Sequence, residues 1–526
     1  MSELKTLILA AGKGTRMKSE LPKVILPICG VPMIQYVIWE ALKLSELKPL
    51  VVVGYKGDEV IDLIGDQVEY AWQKEQLGTG HAVKIACDEM GSFSGDLLVL
   101  YGDTPFISAD SLQGLIKEHQ AQKAAATVLT AEVKDPTGYG RIIRSSDGSL
   151  KGIVEEQDAR AAEKSINEVN TGIYCFSYQE LKKIITKIQP QNAQGEYYLT
   201  DVIALLAKQG KNLKAVRCSN PGEILGPNNR KALAETERVM QAMILERLMD
   251  VGVSIIDPMV TYIDPRVKIG RDTTIYPGTI LKGNTKIGEN CHIGPFSQVS
   301  DSIIGDDCQI QFSTITQTRL KNHVNVGPYA HIRPGTTAEE HTKIGGFVEV
   351  KNSQIGEGSK VPHLSYIGDT KIGTDVNIGA GTITCNYDGG NKWETTIKDG
   401  AFIGSNTNLV APVNIGEKAV IGAGSTITED VPAYALAIAR AQQVHKISRP
   451  TFEISATKKE QFQMVKLNCL IKGAVICYTL DGTEPTEESL VYSQPLELKE
   501  ETILKMRAFK EGWYPSKTVS VKITAR

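Results

Sequence analysis

No stretch of the 526 residues holds the roughly 18 consecutive apolar positions that a membrane-crossing helix requires. No C-x-x-C pair occurs, and the nine cysteines are an odd number scattered from Cys29 to Cys477. That argues against a disulfide framework and against a zinc site, and for reduced thiols in a cytoplasmic setting. Charge of one sign is lacking too. A formal net charge of −3 and a pI near 6.3 give no overall pull toward nucleic acid or an anionic membrane. The first residues, MSELKTLILAAGKG, turn polar and glycine-rich too early for a secretory signal. Aromatic residues are few, at 6%, while glycines number 48, a balance that suggests repetitive β structure. The length exceeds what one core usually covers, so two or three domains are expected.

The first 228 residues alternate apolar strand-like runs with helical patterns. LKPLVVVGY (47–55) and GDLLVLYGD (95–103) are short runs rich in Val and Leu, and SLQGLIKEHQAQ (111–122) has helical spacing. This predicts an α/β, Rossmann-like domain with a mainly parallel sheet. Near its start, the run Leu7–Ala11 empties into Gly12-Lys13-Gly14-Thr15-Arg16. A buried strand that opens into a glycine-rich loop is a common way to hold a phosphate. The spacing is neither G-x-G-x-x-G nor a P-loop, so the motif alone leaves the owner of that phosphate open. Asp103 follows a buried run, which puts a carboxylate at a strand's carboxyl end, where α/β sites form. One carboxylate there suits Mg²⁺ bridged to phosphates.

Residues 229–251 have apolar groups at helical spacing with no breaker, and predict one linking helix. From 252 to 447 the period changes. Ile269-Gly270, Ile275, Leu281, Ile287-Gly288 and Ile293-Gly294 step by six, and Ile403-Gly404, Leu409, Ile415-Gly416, Ile421-Gly422 and Ile427 do so again. Such a step marks a parallel β-helix of triangular coils. The expectation is an inward aliphatic residue at each corner and a glycine that permits a tight turn. HIRPGTT (331–337) and NYDGGNKWETT (386–396) read as loops thrown out of the coil, and His363 reads as lying in a break of it. Residues 448–526 alternate in strand fashion around Asp-Gly, Glu-Pro and Gly-Trp turns, which predicts a small β-sandwich-like module.

LAAGKGTRM…LPK, followed by EQLGTGHA, YGDTP, GYGRI, IVEE and NTGIY in that order, resembles the signature of sugar-nucleotide pyrophosphorylases. HLSYIGD (363–369) and NIGAGTITCNYDGGNK (377–392) resemble the bacterial bifunctional family that joins an N-acetylglucosamine-1-phosphate uridyltransferase to a glucosamine-1-phosphate N-acetyltransferase. The resemblance covers roughly residues 4–447. It implies a left-handed β-helix, a homotrimer formed through it, UTP and acetyl-CoA as co-substrates, Mg²⁺, and a place in UDP-N-acetylglucosamine synthesis for peptidoglycan and lipopolysaccharide. The tail is similar to the C-terminal module of chitobiases and β-hexosaminidases. Trp513 and Tyr514 there could stack on a sugar, but packing within the module is the simpler reading.

The resemblance also implies site residues. Leu9, Ala10, Ala11 and Gly12 contact the nucleotide, with Tyr101 and Gly102 beside it, and Arg16 and Lys23 meet its phosphates. Gln73, Gly78 and Thr79 read uracil, glycine at 78 leaving room for the base. Asp103 and Asn228 hold the metal, and Gly140, Glu155 and Asn170 hold the N-acetylglucosamine ring. For acetyl transfer, His363 is the general base, with a carboxylate, Glu349, to orient it. Arg333 and Lys351 take the sugar phosphate, Tyr366 and Asn377 the sugar, and Lys392 adds a further contact. Ala380, Asn386, Tyr387, Ser405, Ala423 and Arg440 match the acetyl-CoA side. The oxyanion donor stays open among Tyr366, Asn386 and Ser405. The alternatives are a one-site pyrophosphorylase on a structural coil, or a scaffold with dead sites. The presence of Lys23, Asp103 and His363 together stands against both.

Overall fold

The computed structural model describes residues 3–456, 462–499 and 501–524. Residues 1–438 form one compact unit and 439–526 a second. The division falls ahead of residue 448, because His445 and Ile447 already belong to the tail. Ile447 is buried in the tail's core and donates its N–H to Tyr514, whose own N–H goes to His445.

The apolar runs of the first domain become a nine-stranded sheet. Its path runs Leu213–Arg217, Ala126–Glu132, Glu168–Ser177, Asp96–Tyr101, Leu4–Leu9, Leu50–Val53 and Glu69–Trp72. All neighbours on this path are parallel except Glu168–Ser177, which runs antiparallel to both of its partners. Successive residues serve opposite faces. Leu7 and Leu9 enter one core, and Leu4 and Ile8 the other. A sheet covered on both sides needs this continuous hydrophobicity, which is why the strands read as unbroken runs.

The linking helix is Arg230–Asp250, capped by Asn229, whose side chain accepts the N–H of Ala232. Its Leu233, Met240, Ile244, Leu245 and Leu248 share one core with the first coils and with Leu26, Ile28 and Val31 of the first domain. The helix thus mortises domain to coil.

The coil is a left-handed β-helix of three parallel sheets of eleven, ten and nine short strands. The inward aliphatic residue lies within each short strand on a flat face, not at the corner. Ile275, Leu281, Ile287 and Ile293 each end or centre such a strand and are buried. The corners are taken by polar or left-handed residues such as Asp272 and Asn290. The glycine after the aliphatic residue serves clearance between coils. A Cβ on Gly356 would lie 2.2 Å from the carbonyl oxygen of Gly373 on the next coil. The step also slips to five at Val299–Ile304, Ile310–Ile315, Ile315–Leu320, Val350–Ile355 and Ile367–Ile372. A single left-handed residue closes each short side: Asp301, Phe312, Gln317, Asn352 and Asp369.

Two expectations about loops need correction. Residues 331–337 stay in the coil, since His331–Ile332 and Thr337–Ala338 are strands and Ile332 and Ala338 keep the step of six. His363 is not in a break either. It ends the strand Lys360–His363, and Val361 and Ile367 are six apart. The segment 386–394 does leave the coil, between Ile383–Cys385 and Thr395–Ile397.

The second unit packs a three-stranded and a four-stranded antiparallel sheet around Val465, Leu467, Leu498, Leu504 and Met506. Of the tail segments read from sequence, Glu500 and residues 525–526 lie outside the described residues. Trp513 packs against this core, with the His445 ring 4.6 Å away and the Lys510 ammonium 4.8 Å from its centroid. Its faces are occupied from within the module.

Candidate functional site

The loop after Leu4–Leu9 opens onto a cavity of about 320 Å³ at the carboxyl ends of the parallel strands. Leu9, Ala10, Ala11, Gly12, Arg16, Lys23, Gln73, Gly78, Thr79, Tyr101, Asp103 and Asn228 all line it. Gly14 is left-handed (φ 63°), and a Cβ there would lie 2.6 Å from Cβ of Lys23. The bare glycine lets the buried Lys23 lie beneath the loop and reach the cavity. Its Nζ donates to Oδ2 of Asp103 at 2.5 Å and to Oδ1 of Asn228 at 2.8 Å. A cation and two oxygen acceptors, 205 residues apart at the extremes, therefore meet at one point.

Gly102 sits just below, its N–H bonded to the carbonyl of Leu9. Gly78 is glycine for a reason internal to the chain. At φ 110°, its Cβ would stand 2.7 Å from the carbonyl oxygen of Tyr197. The segment 196–199 is stitched to this loop, Tyr197 to Leu77 and Gly80 by backbone bonds and Leu199 to the Thr79 hydroxyl. It brings Glu196 into the lining. Neither Glu196 nor Gln76 was singled out from sequence. Gln76 stands inside the quoted EQLGTGHA, but Glu196 has no local pattern to mark it.

Gly140, Glu155 and Asn170 form an adjoining cluster. The Asn170 N–H donates to the Gly140 carbonyl at 2.8 Å, and a Cβ on Gly140 would lie 3.2 Å from Oε2 of Glu155. Burial raises the Glu155 carboxyl above its ordinary range, against a hydrogen bond from Thr200. Tyr101 links the cluster to the cavity. Its ring lies against Gly172, and burial, with the charge of Glu155, pushes its phenol up.

On the coil, register brings a second set together. Glu349 pairs with Tyr366 and Lys351 with Gly368 on adjacent strands. Arg333, one coil back, donates to Oε1 of Glu349 at 2.8 Å. Glu349 is thus held by Arg333, and His363 stands exposed at the neighbouring corner, in register with Gly346. The loop 386–394 folds back so that Lys392 lies beside Lys351, and that neighbouring ammonium lowers the Lys392 pKa. Two cations held together are an anion site in waiting. Asn386 is buried and donates to Asp369, and a Cβ on Gly368 would meet both the Tyr366 hydroxyl and the Asn386 amide. Asn377 lies in register with Lys360, in the same sheet as His363.

Ala380, Ser405 and Ala423 occupy successive coils at one corner. The Ala380 carbonyl accepts from Asn406, and the Ser405 carbonyl from Gly424. Tyr387 is exposed on the loop 386–394. Arg440 belongs to the second unit.

Among the described residues no helix is long and apolar enough to cross a membrane, and no group of three or more His, Cys, Asp or Glu could hold a metal. All nine cysteines are free.

Comparison with known proteins assigns residues 5–221 to the nucleotidyl transferase family. Residues 266–300, 284–317 and 394–429 match the bacterial transferase hexapeptide (six repeats). Residues 455–520 match the chitobiase/beta-hexosaminidase C-terminal domain. The bifunctional protein GlmU of Carboxydothermus hydrogenoformans is 53% identical over 444 residues, covering 84% of this chain and 99% of its own. That of Bacillus velezensis is 51% identical over 446 residues, covering 85% and 98%. That of a Geobacillus species is 51% identical over 440 residues, covering 84% and 96%.

Proposed function

The chain belongs to the bifunctional GlmU family, and on that premise we propose that its two clusters are the two active sites. The protein is a uridyltransferase and a glucosamine-1-phosphate acetyltransferase: it acetylates glucosamine-1-phosphate from acetyl-CoA, then joins the product to a uridylyl group from UTP. The observation that carries the assignment of sites is the meeting of Lys23, Asp103 and Asn228 at the mouth of the glycine-rich loop.

In the first site the phosphate oxygen of N-acetylglucosamine-1-phosphate attacks the α-phosphorus of UTP, and pyrophosphate leaves. Positioning and charge neutralisation supply most of the catalysis. The N–H groups of residues 11–14 line the triphosphate, and Lys23 and Arg16 offset its developing charge. The family's nucleotidyl transfer calls for a divalent metal. Asp103 and Asn228 offer two hard oxygens aimed at one point, the donor chemistry Mg²⁺ takes, and they would hold it. Mg²⁺ when bound neutralises phosphate oxygens. Gln73, Gly78 and Thr79 face the base, and Gly140, Glu155 and Asn170 the acetylated sugar.

In the second site His363 removes a proton from the glucosamine amine as its nitrogen attacks the thioester carbonyl, and CoA leaves as the thiol. Arg333, Lys351 and Lys392 bind the sugar phosphate, with Tyr366 and Asn377 on the sugar. Glu349 lies between Arg333, which it accepts from, and the strand that follows His363. Ala380, Ser405 and Ala423 leave a small-residue corner for the pantetheine arm, and Asn386 and Tyr387 add acetyl-CoA contacts.

The acetyltransferase works as a homotrimer. One corner of the coil carries a ridge of Phe296, Phe312, Tyr329 and Phe347 at centroid spacings of 6.0, 5.5 and 5.2 Å, and Leu364, next to His363, extends it. Phe296, Tyr329, Phe347 and Leu364 are each more than half exposed in the single chain, an apolar face that neighbouring coils would cover. The enzyme acts in the cytoplasm, where its nucleotide and thioester substrates are available.

Separate assays test the assignment. Pyrophosphate release from UTP plus N-acetylglucosamine-1-phosphate, and CoA release from acetyl-CoA plus glucosamine-1-phosphate, are measured on wild type, Asp103→Asn and His363→Ala. Each substitution should silence its own half only. Loss of both activities in either variant would sink the two-site assignment.

A further inference from the structure

Gln73 is the most enclosed polar side chain in the first cavity, with 3% of its surface exposed. Its Nε2 donates to the carbonyl oxygen of Gly78 at 3.1 Å and lies 3.1 Å from Nδ1 of His81. The Gly78 carbonyl is only an acceptor, so the atom facing it must be the amide nitrogen. That nitrogen has two hydrogens. One goes to Gly78, and the other is aimed at His81. Among the described residues nothing donates to Oε1, the one remaining polar atom of the side chain.

We propose that His81 is a positioning residue which, together with the Gly78 carbonyl, locks the Gln73 amide so that only an acceptor faces the base, and so sharpens selection of an imide base over an amidine base. The inference rests on the reading of this cavity as the nucleotide site. Uracil offers N3–H as a donor, flanked by carbonyl acceptors. Gln73 Oε1 meets the donor. The N–H groups of Gly78 and Thr79, at the open start of the helix Thr79–Met90, have no intrahelical acceptor and suit a carbonyl. Cytosine reverses this edge, with a bare N3 and an amino group. Against a locked Oε1 its N3 meets oxygen lone pairs, and a buried polar mismatch of this kind is how a site rejects a near-isostere. Thymine keeps the uracil edge, so the lock does not act against it.

Nδ1 of His81 is also 3.1 Å from the carbonyl oxygen of Glu75. It accepts from Gln73 only when the ring is neutral with its proton on Nε2. With a proton on Nδ1 the ring turns donor to Glu75, and the second Gln73 N–H loses its acceptor. The tautomer of His81 therefore decides whether the Gln73 amide is held by two bonds or by the Gly78 bond alone. The Tyr197 ring, 6.3 Å from the imidazole, packs alongside.

The test compares kcat/KM for UTP and CTP, with N-acetylglucosamine-1-phosphate, on wild type, His81→Ala and His81→Asn. Asparagine can return an acceptor oxygen near the place of Nδ1, and alanine cannot. One neutral hydrogen bond sets the scale. His81→Ala should lower the UTP-to-CTP ratio roughly 5–10-fold. The change should lie mainly in KM for UTP, and His81→Asn should restore most of the ratio. CoA release should be unchanged in both variants, which controls for folding. An unaltered ratio in His81→Ala, or an equal fall for both nucleotides that asparagine does not rescue, overturns the positioning role. If wild type itself releases no pyrophosphate from UTP, the reading of the cavity falls instead, and that outcome is distinct.

Discussion

The α/β domain and the β-helix solve the same problem, holding a phosphorylated sugar against an activated donor, from opposite geometries. The first is concave. Its Lys23 and Gln73 are buried, and its key groups are already bonded to one another: Lys23 to Asp103 and Asn228, Gln73 to Gly78, Asn170 to Gly140. The second is a convex flank. His363 is exposed, Arg333 and Glu349 are half-exposed, and two lysines lie side by side. A site that encloses itself needs one chain. A site spread on a flat coil needs walls from elsewhere, and under the proposed assembly the exposed ridge beside His363 is where they would stand.

That contrast can be broken by mutation, and the largest effect is expected in the enclosed site. Lys23→Met should lower kcat/KM for pyrophosphate release about 10²–10³-fold, because charge stabilisation at a desolvated phosphate is lost. CoA release should not change. Next comes stability. Ile367→Ala, which opens a cavity in the fully buried axis of the coil, should cost about 2–5 kcal/mol, read as a shift of the denaturant midpoint. Because each coil rests only on its neighbours, the acetyltransferase should be lost first on heating this variant. A transition in which both activities vanish together would mean that the helix Arg230–Asp250 ties the two regions into one cooperative unit.

Smaller effects sharpen the open site. Lys351→Met and Lys392→Met should each raise KM for glucosamine-1-phosphate roughly 10-fold, and the double variant should cost less than the product, since removing one cation relieves the other. Smallest is the loop that carries Lys392. Asp388 accepts from the backbone of Asn391 and Gly390 and from the Trp393 indole, and its pKa is lowered to about 2, first by the Asn391 bond. A carboxyl held low in the folded state lends its stability above the ordinary carboxylate pKa of about 4. That stability is lost as pH falls through about 2. Amide exchange at Gly390 and Asn391 should quicken in Asp388→Ala at neutral pH. Unchanged protection would show that the loop is held by the Tyr387–Lys392 bridge instead.

The two regions also differed in how far they could be read from sequence. In the α/β domain, the order of apolar runs gave the sheet, and the glycine-rich loop with Lys23 and Asp103 gave the heart of the cavity. Glu196 escaped because nothing local distinguishes it; only the bonds between 196–199 and the Gly78 loop bring it in. In the coil, the six-residue step was plain, but its corners were not. Asp301 and Asn352 are of the few non-glycine types that take left-handed backbone readily, while Phe312 adopts it against its residue type, a conformation set by stacking from coil to coil. For the same reason 331–337 and the turn at His363 looked like interruptions and are not. The glycines of the coil were legible as necessary, yet for clearance between coils, a long-range fact that sequence neighbours do not carry. Lys351 and Lys392 are brought together by a loop closure that no spacing rule foretells.

The central claim is that one active site is complete in a single chain and the other is not. The direct measurement is sedimentation of Phe296→Glu/Phe312→Glu alongside both assays, these positions lying at the end of the ridge farthest from His363. The account predicts a single-chain species that releases pyrophosphate at the wild-type rate and no longer releases CoA. A single-chain species with wild-type CoA release would contradict it.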